Sequence, residues 1–253
     1  ARIRKSNAMR TAMARSEDAV PTRADLERQK KVLASLHGHR WPIPAAVLRP
    51  ESHCVIMVDT VSMLRELRRL ELSKVIGIDL EYHRYRSYRG YTCLIQLSDG
   101  ETTILLDTLR IPADDVADAL RDMLLDPGVL KVFHGGDNDV KWLRRDFGLL
   151  CANVYDTQVA EAELGSSCAG LSELWTRYTH VRMGAAQKQA FQGSDWRARP
   201  LSSAQQAYAA QDAGLLPTIC RRQLERLWTM AKAKAAAKAK AGSGGGGGGG
   251  SGR

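Results

Sequence analysis

The sequence predicts an α/β domain with a mixed β-sheet between residues 52 and 230, and three features carry that prediction. Two short apolar segments, 92–98 and 102–107, flank an Asp-Gly pair, which favours an antiparallel hairpin. Strand-like and helix-like segments then alternate along the chain from residue 112 to residue 164. The remainder of the domain is helical in pattern, so the order of elements is typical of a mixed sheet flanked by helices.

The individual elements follow from apolar periodicity and from the residues that end each segment. A compact domain begins near Cys54, and the first buried strand is expected at 75–82, after a helix at 61–72 with apolar residues at helical spacing. Gly148 is expected to end one of the later helices. After the hairpin, the predicted elements are a helix at 112–125, a strand at 130–134, a helix at 138–147, a strand at 153–157, a helix beginning at 158, and helices at 171–178 and 203–230.

The chain has 253 residues and a net charge of +9, and this charge is concentrated at its ends. Residues 1–51 are expected to form a basic N-terminal arm and linker. Residues 231–253 form a basic Ala/Lys segment followed by a glycine-rich, low-complexity tail. The central domain is slightly acidic, an arrangement that suits metal at the centre and nucleic acid at the flanks, although solubilising tails are the simpler alternative.

Two function classes are disfavoured by composition. No segment approaches the roughly 20 apolar residues of a membrane span, so no integral membrane protein and no membrane partner are expected. The five cysteines have no C-x-x-C spacing, which favours reduced thiols in an intracellular protein.

The most informative motif is the pair of acids at the end of the first predicted buried strand. Side chains alternate along a strand, so Asp79 and Glu81 lie on the same face, about 7 Å apart along the chain. Two neighbouring carboxylates on a buried strand repel each other unless a cation lies between them. A strand end whose acids face solvent is the alternative for this motif alone.

Two further segments add acids. Asp139 follows a strand and a Gly-Gly pair, at the end of a sheet where α/β domains bind ligands, while Asp137 or Asn138 could simply cap the helix. Tyr208 and Asp212 are spaced i, i+4 and share the inward face of the last predicted helix. Such a tyrosine is often core packing, but a buried aspartate one turn later requires a partner.

Four carboxylates from strands and helices are suited to a pair of hard divalent cations, Mg²⁺ or Mn²⁺, which prefer oxygen ligands. Two such ions about 4 Å apart bind the attacking and leaving oxygens of a phosphodiester at once. A nearby tyrosine hydroxyl could orient the attacking water.

At these residues the sequence resembles the DEDDy 3′–5′ exonucleases, whose three motifs match Asp79-Leu-Glu81, Asp139, and Tyr208 with Asp212. Longer segments resemble the ribonuclease D family, and most closely its eukaryotic relative in the nuclear exosome. They are DLEYHRYRSYRGYTCLIQLS (79–98), VFHGGDNDVKWLRRDFGLL (132–150), NVYDTQVA (153–160) and SDWRARPLS (194–202). These segments occur in the family's order and spacing over most of residues 52–228.

The resemblance implies a ribonuclease H-like fold and a hydrolase that releases nucleoside 5′-monophosphates from the 3′ end of RNA. It implies Asp79, Glu81, Asp139 and Asp212 as metal ligands and Tyr208 as the group that positions the attacking water. It also implies single-stranded RNA 3′ ends as substrate, a role in nuclear RNA processing or decay, exosome components as possible partners, and location in the nucleus, with the nucleolus possible.

The sequence departs from the family at two places. The family often has Y-A-R-D-D, whereas this chain has Ala210 and Gln211 before Asp212, so a basic and an acidic neighbour are missing. The helical HRDC domain that usually follows the nuclease domain is also missing from this sequence. Separately, two alternatives stay open. One is a DNA 3′–5′ exonuclease, because the sequence holds no clear reader of the 2′-hydroxyl that separates RNA from DNA. The other is an inactive nuclease fold that serves as an RNA-binding scaffold, although the retention of all four acids and the tyrosine argues against it.

Six other residues are predicted to contact substrate, each with a structural alternative. His83 and Arg84 follow the acidic strand and could line the RNA entrance. His134 precedes the glycine pair, where a hydrogen-bonded core histidine is the simpler role. The loop residues Trp196, Arg197 and Arg199 could contact RNA and its phosphates, or form a structural tryptophan with solvated arginines.

Overall fold

The computed structural model of the protein describes residues 53–85, 87–166, 170–179, 191 and 193–243. Its strands are β1 (Cys54–Val58), β2 (Val75–His83), β3 (Tyr91–Ser98), β4 (Thr102–Leu106), β5 (Leu130–Phe133) and β6 (Val154–Asp156). Its helices are α1 (Ala113–Leu125), α2 (Asp137–Phe147), α3 (Thr157–Glu163), α4 (Leu171–Thr179), α5 (Ser203–Gly214) and α6 (Leu216–Ser243). The predicted N-terminal arm and the glycine-rich tail beyond residue 243 lie outside the described residues.

These strands form one six-stranded mixed sheet in the order β1-β4-β3-β2-β5-β6. The predicted hairpin is confirmed, because β3 pairs antiparallel with β4. The neighbouring strand β2 is antiparallel to β3 and parallel to β5, which in turn is parallel to β6. The predicted α/β class with a mixed sheet is therefore confirmed, and β2 lies in the interior of the sheet.

The two faces of β2 carry different kinds of side chain. Ile76, Ile78 and Leu80 belong to the main hydrophobic core, where they pack with residues of β3, β4 and α1. The alternate residues Gly77, Asp79 and Glu81 lie on the opposite face, because successive side chains of a strand point to opposite sides. Helices α5 and α6 pack against that face. The alternation thus leaves one face of β2 for the core and one for acidic side chains.

The helix predicted over 203–230 is two helices, and this part of the prediction is wrong. Helix α5 ends at Gly214 and α6 begins at Leu216. Pro217 lacks an N–H donor, and its ring would collide with the carbonyl of Ala213 in a continuous helix. This break packs on β2 at Gly77, where an added Cβ would lie 2.3 Å from the Ala213 carbonyl oxygen. A glycine on the strand therefore allows the helix break to approach the sheet.

Two other differences concern the first part of the domain. Strand β1 precedes the strand predicted as the first, and it pairs parallel with β4 at one edge of the sheet. Its five residues, CVIMV, are all apolar, so the sequence contains a strand signal that the prediction overlooked. The segment predicted as a helix at 61–72 is a 3-10 helix, Val61–Leu70. Among the described residues, no helix has the length and apolar character needed to cross a membrane.

Candidate active site

Strand β2 and helix α5 bring three of the predicted acids together. Asp79 and Glu81 extend from the same face of β2, and Asp212 lies on the last turn of α5, which packs on that face. Their carboxylates offer oxygen atoms that all lie within 4.8 Å of one another. Asp79 and Glu81 are half-buried and Asp212 is buried. Such a spacing brings like charges close together in a place with little access to water.

The electrostatics of the site follow from this crowding. Burial raises the pKa of Asp79 to about 7. Burial, and then the charges of Asp79, Asp212 and Asp139, raise the pKa of Glu81 well above its usual range. For Asp139, burial and the charge of Asp79 raise the pKa to about 8. The protein alone therefore disfavours full ionisation of the cluster, whereas a bound cation would favour it.

Asp139 reaches this site because of how α2 begins. Gly135 has a φ of +62°, a conformation that favours glycine, and an added Cβ at Gly136 would lie 2.5 Å from Cβ of Phe133. Helix α2 starts directly after this turn, with Gly136 as N-cap and no side-chain cap bond. Capping by Asp137 or Asn138 is thus not observed, and Asp139 lies buried in the first turn.

The glycine turn is held by Asp156, a residue that sequence reasoning missed. Its Oδ1 and Oδ2 accept hydrogen bonds from the backbone N–H groups of Gly135 and Gly136 at 3.0 and 2.8 Å. Oδ1 also accepts from the N–H of Gln158 at 2.8 Å, which caps α3. Asp156 falls near the end of the predicted strand, two residues before the predicted helix, where an aspartate is a recognisable capping signal. Its link to the glycine turn depends on the pairing of β5 with β6.

Tyr208 lies one turn before Asp212 on α5, as its spacing predicts. Its hydroxyl hydrogen-bonds to the Asp212 carboxylate, and burial together with that carboxylate raises the pKa of the phenol well above its usual range. The ring packs against Phe191 and Trp196, with centroid distances of 5.0 and 6.1 Å. The tyrosine is therefore both a core residue and a protonated hydroxyl beside the acids.

Two residues predicted to contact substrate are instead part of the scaffold behind Tyr208. Trp196 is only 3% exposed, so its ring is not available for stacking on a base. Arg199 uses all five N–H donors within the protein: Nε and Nη2 donate to Asp107, Nη2 to the Cys93 carbonyl, and Nη1 to the carbonyls of Trp196 and Ala198. The structure does not support a phosphate contact for Arg199, because no donor is left to make it.

Other predicted contact residues lie nearer the surface. Arg197 is exposed and forms an ion pair with Asp195, at 2.8 Å between Nε and Oδ1. His83, at the end of β2, lies 2.7 Å from the Tyr85 carbonyl oxygen through its Nε2, and Arg84 after it is exposed. His134 makes a 2.9 Å hydrogen bond between Nδ1 and the Thr157 hydroxyl, as expected for a structural histidine. A substrate role for these four residues stays a prediction.

The donor chemistry of the acidic cluster fits a hard divalent cation. Its ligand atoms are carboxylate oxygens, which Mg²⁺ and Mn²⁺ prefer. Asp79, Glu81 and Asp212 meet the distance requirement for a shared ion, and the buried Asp139 interacts electrostatically with Asp79. The raised pKa values have the same implication, since a cation would stabilise the ionised cluster.

Comparison with known proteins identifies the class to which this fold and site belong. Residues 55–228 match the family model DNA_pol_A_exo1, described as 3′–5′ exonuclease. This match covers more than half of the chain and contains all four acids and Tyr208. The chain therefore belongs to the 3′–5′ exonuclease family.

Within this family, the chain is similar to exosome exonucleases and to ribonuclease D. It is 36% identical to human exosome complex component 10 over 202 residues, which are 76% of this chain and 22% of the relative. It is 37% identical to the exosome complex exonuclease RRP6 of Saccharomyces cerevisiae over 165 residues, which are 65% of this chain and 22% of the relative. The chain thus spans about a fifth of the length of these curated relatives.

Solved structures agree with this assignment. The catalytic core of RRP6 from Trypanosoma brucei has a TM-score of 0.66 at 27% identity, covering 80% of this chain and 55% of that one. Escherichia coli RNase D, whose description is an exoribonuclease involved in structured RNA processing, has a TM-score of 0.62 at 30% identity, covering 68% of this chain and 44% of that one. The expected ribonuclease H-like fold and the resemblance to the ribonuclease D family are confirmed.

Proposed function

We propose that this protein is a metal-dependent exoribonuclease that hydrolyses RNA from its 3′ end to nucleoside 5′-monophosphates. The observation that carries the proposal is the meeting of Asp79, Glu81 and Asp212 within 4.8 Å, with Tyr208 hydrogen-bonded to Asp212. Membership of the 3′–5′ exonuclease family and similarity to ribonuclease D support the reaction and its direction.

Asp79, Glu81, Asp139 and Asp212 would hold two divalent cations, Mg²⁺ or Mn²⁺. When bound, such ions neutralise the charge that develops on the attacking and leaving oxygens of a phosphodiester. Binding of two cations requires ionised carboxylates. The two-residue spacing on β2 directs the Asp79 and Glu81 side chains toward the same cation site. Helix α5 supplies Asp212 from the opposite side.

Tyr208 would orient the attacking water. A phenol is protonated at neutral pH, and burial raises the pKa of Tyr208 further above its usual range. Its hydroxyl oxygen has lone pairs for a water in addition to the bond with Asp212. In the reaction, the water oxygen bonds to phosphorus and the bond from phosphorus to the 3′ oxygen breaks. A proton from the water ends on that 3′ oxygen. The products are a nucleoside 5′-monophosphate and an RNA shortened by one nucleotide.

RNA would approach over the surface that carries His83, Arg84 and Arg197. Two of these side chains are exposed and cationic, as phosphate contacts require. The basic arm at 1–51 and the lysine-rich segment from 231 would add sequence-independent attraction to the phosphate backbone around the nuclease domain at 52–230. Helix α6 continues through this second boundary to Ser243.

The biological setting that we propose is nuclear RNA processing or decay, including ribosomal and other non-coding RNA. The names of the exosome relatives support association with exosome components. The proposed nuclear or nucleolar location rests only on the sequence motifs that resemble the nuclear exosome branch. The shared region covers only about a fifth of those relatives, so these properties belong to the proposal alone.

The test is degradation of a 5′-labelled single-stranded RNA with Mg²⁺ or Mn²⁺, beside a DNA of the same sequence. We expect stepwise shortening of the RNA that requires metal, is lost in Asp79→Asn, and is strongly reduced in Tyr208→Phe, which keeps the ring and removes the hydroxyl. Preferential shortening of the DNA would assign a DNA exonuclease. Intact RNA bound by a folded protein would favour the scaffold alternative.

A further inference from the structure

Gln96 is a buried amide on the face of the sheet that carries Asp79 and Glu81. It lies on β3 directly opposite Asp79 in the antiparallel register, so both side chains lie on the same face of the sheet. Its side chain is fully buried. A buried amide is unfavourable unless its N–H₂ and its carbonyl oxygen both find partners, so this residue requires an explanation.

The two ends of the Gln96 amide differ in their partners. Nε2 donates a long hydrogen bond of 3.4 Å to Oε1 of Glu81. Oε1 of Gln96 has no hydrogen-bond partner among the residues that the structure describes. Buried acceptors in proteins are almost always hydrogen-bonded. The donor to this oxygen must therefore come from a molecule other than the protein, beside the carboxylate cluster.

We propose that Gln96 is a positioning residue for the divalent-cation site: its Nε2 orients Glu81 toward Asp79 and Asp212, and its Oε1 accepts a hydrogen bond from a water that enters with the cation. This inference rests on the proposed metal-dependent function. A carboxylate ligand whose direction is set by a neighbouring hydrogen bond loses less freedom when it binds an ion, and such supporting bonds typically contribute 10- to 100-fold to metal affinity.

A second buried glutamine provides a matched control. Gln223 on α6 is also fully buried, but both ends of its amide are partnered. Its Nε2 donates to the Thr157 carbonyl at 2.8 Å and to Glu161 at 2.9 Å, and its Oε1 accepts from the Tyr155 hydroxyl at 3.4 Å. None of these partners is one of the four acids, so Gln223 shows what a purely structural amide contributes.

The experiment measures Mn²⁺ binding to the full chain by electron paramagnetic resonance of the free ion, and thermal unfolding in EDTA. The proteins are wild type, Gln96→Met and Gln223→Met. For Gln96→Met we expect Mn²⁺ affinity to fall about 10- to 100-fold. Its metal-free midpoint should stay unchanged or rise, because an unpartnered buried acceptor is removed. Gln223→Met should show the reverse, a lower midpoint with unchanged Mn²⁺ affinity.

Two outcomes overturn the inference in distinguishable ways. If wild type binds Mn²⁺ and Gln96→Met binds it equally well, Gln96 is only a packing residue and the proposed function stands. If wild-type protein, folded by its thermal transition, binds no Mn²⁺ at millimolar concentration, the metal-dependent function fails and the role of Gln96 fails with it. Should Gln96→Met lose its cooperative transition altogether, the amide is structural, which also contradicts the inference.

Discussion

Replacing Arg199 by methionine should destabilise the domain strongly, because its guanidinium neutralises a buried carboxylate. Asp107 is fully buried, and Arg199 itself is only 17% exposed in its side chain. After the substitution, Asp107 would keep one neighbouring donor, the backbone N–H of Leu109 at 3.0 Å. Removing one partner of a buried ion pair typically costs about 3–5 kcal/mol, which is a large share of the roughly 5–15 kcal/mol of a whole domain.

The assay is the free energy of unfolding from urea titration, combined with the KM for RNA. Arg199→Met should lose about 3–5 kcal/mol, whereas Arg197→Met should leave the free energy of unfolding close to that of wild type because its pair with Asp195 is exposed. The double variant Asp107→Leu with Arg199→Met should recover much of the lost stability, since no charge remains buried. If Arg199→Met instead raises KM and leaves the unfolding free energy within about 1 kcal/mol of wild type, the structural assignment is refuted and the guanidinium contacts phosphate.

Three further substitutions test other parts of the scaffold. Gly77→Ala should abolish activity and cost at least about 1–3 kcal/mol in urea unfolding, because the added Cβ meets the Ala213 carbonyl and pushes α5 with its aspartate away from β2. Asp156→Ala should lower the free energy of unfolding by about 1–2 kcal/mol and should also lower the single-turnover rate. The reason is that the substitution removes the hydrogen bonds that hold the glycine turn and the cap of α3. Lys131 is buried, and burial lowers its pKa to about 8. Between pH 8 and about 10 the unfolded chain therefore binds more protons at this residue than the folded protein does. As pH rises through that window, wild type should gain stability relative to Lys131→Met.

Two of these tests have controls of their own. Gly148→Ala places a side chain at a φ of +64° with open space around it, so it should cost about 1–2 kcal/mol and leave activity intact. An active Gly77→Ala protein would show that the helix break does not position the acid. For Lys131, the control is the same pair of proteins with Cys151 replaced by serine in both, because burial raises the pKa of Cys151 to about 11 and its charge interacts with that of Lys131. A difference in unfolding free energy that is flat across the window would contradict the predicted linkage.

The sequence by itself determined the class of the fold and the identity of the acids. Alternation placed Asp79 and Glu81 on one face of a strand, helical spacing placed Tyr208 and Asp212 on one side of a helix, and Gly148 ends α2 as expected. These are local regularities of period two or 3.6, which a strand or a helix imposes on any sequence. The ordered motifs of the 3′–5′ exonucleases then joined segments that periodicity alone could not connect.

Only the tertiary structure decided which polar residues support those acids. Arg199 meets Asp107 across 92 positions of the chain, Asp156 holds a turn 20 positions before it, and Gln96 reaches Glu81 from the neighbouring strand. In sequence, an arginine that neutralises a buried carboxylate has the same appearance as one that binds phosphate. Burial and the partners of each N–H group separate the two roles, and both are properties of the packed chain rather than of any local pattern.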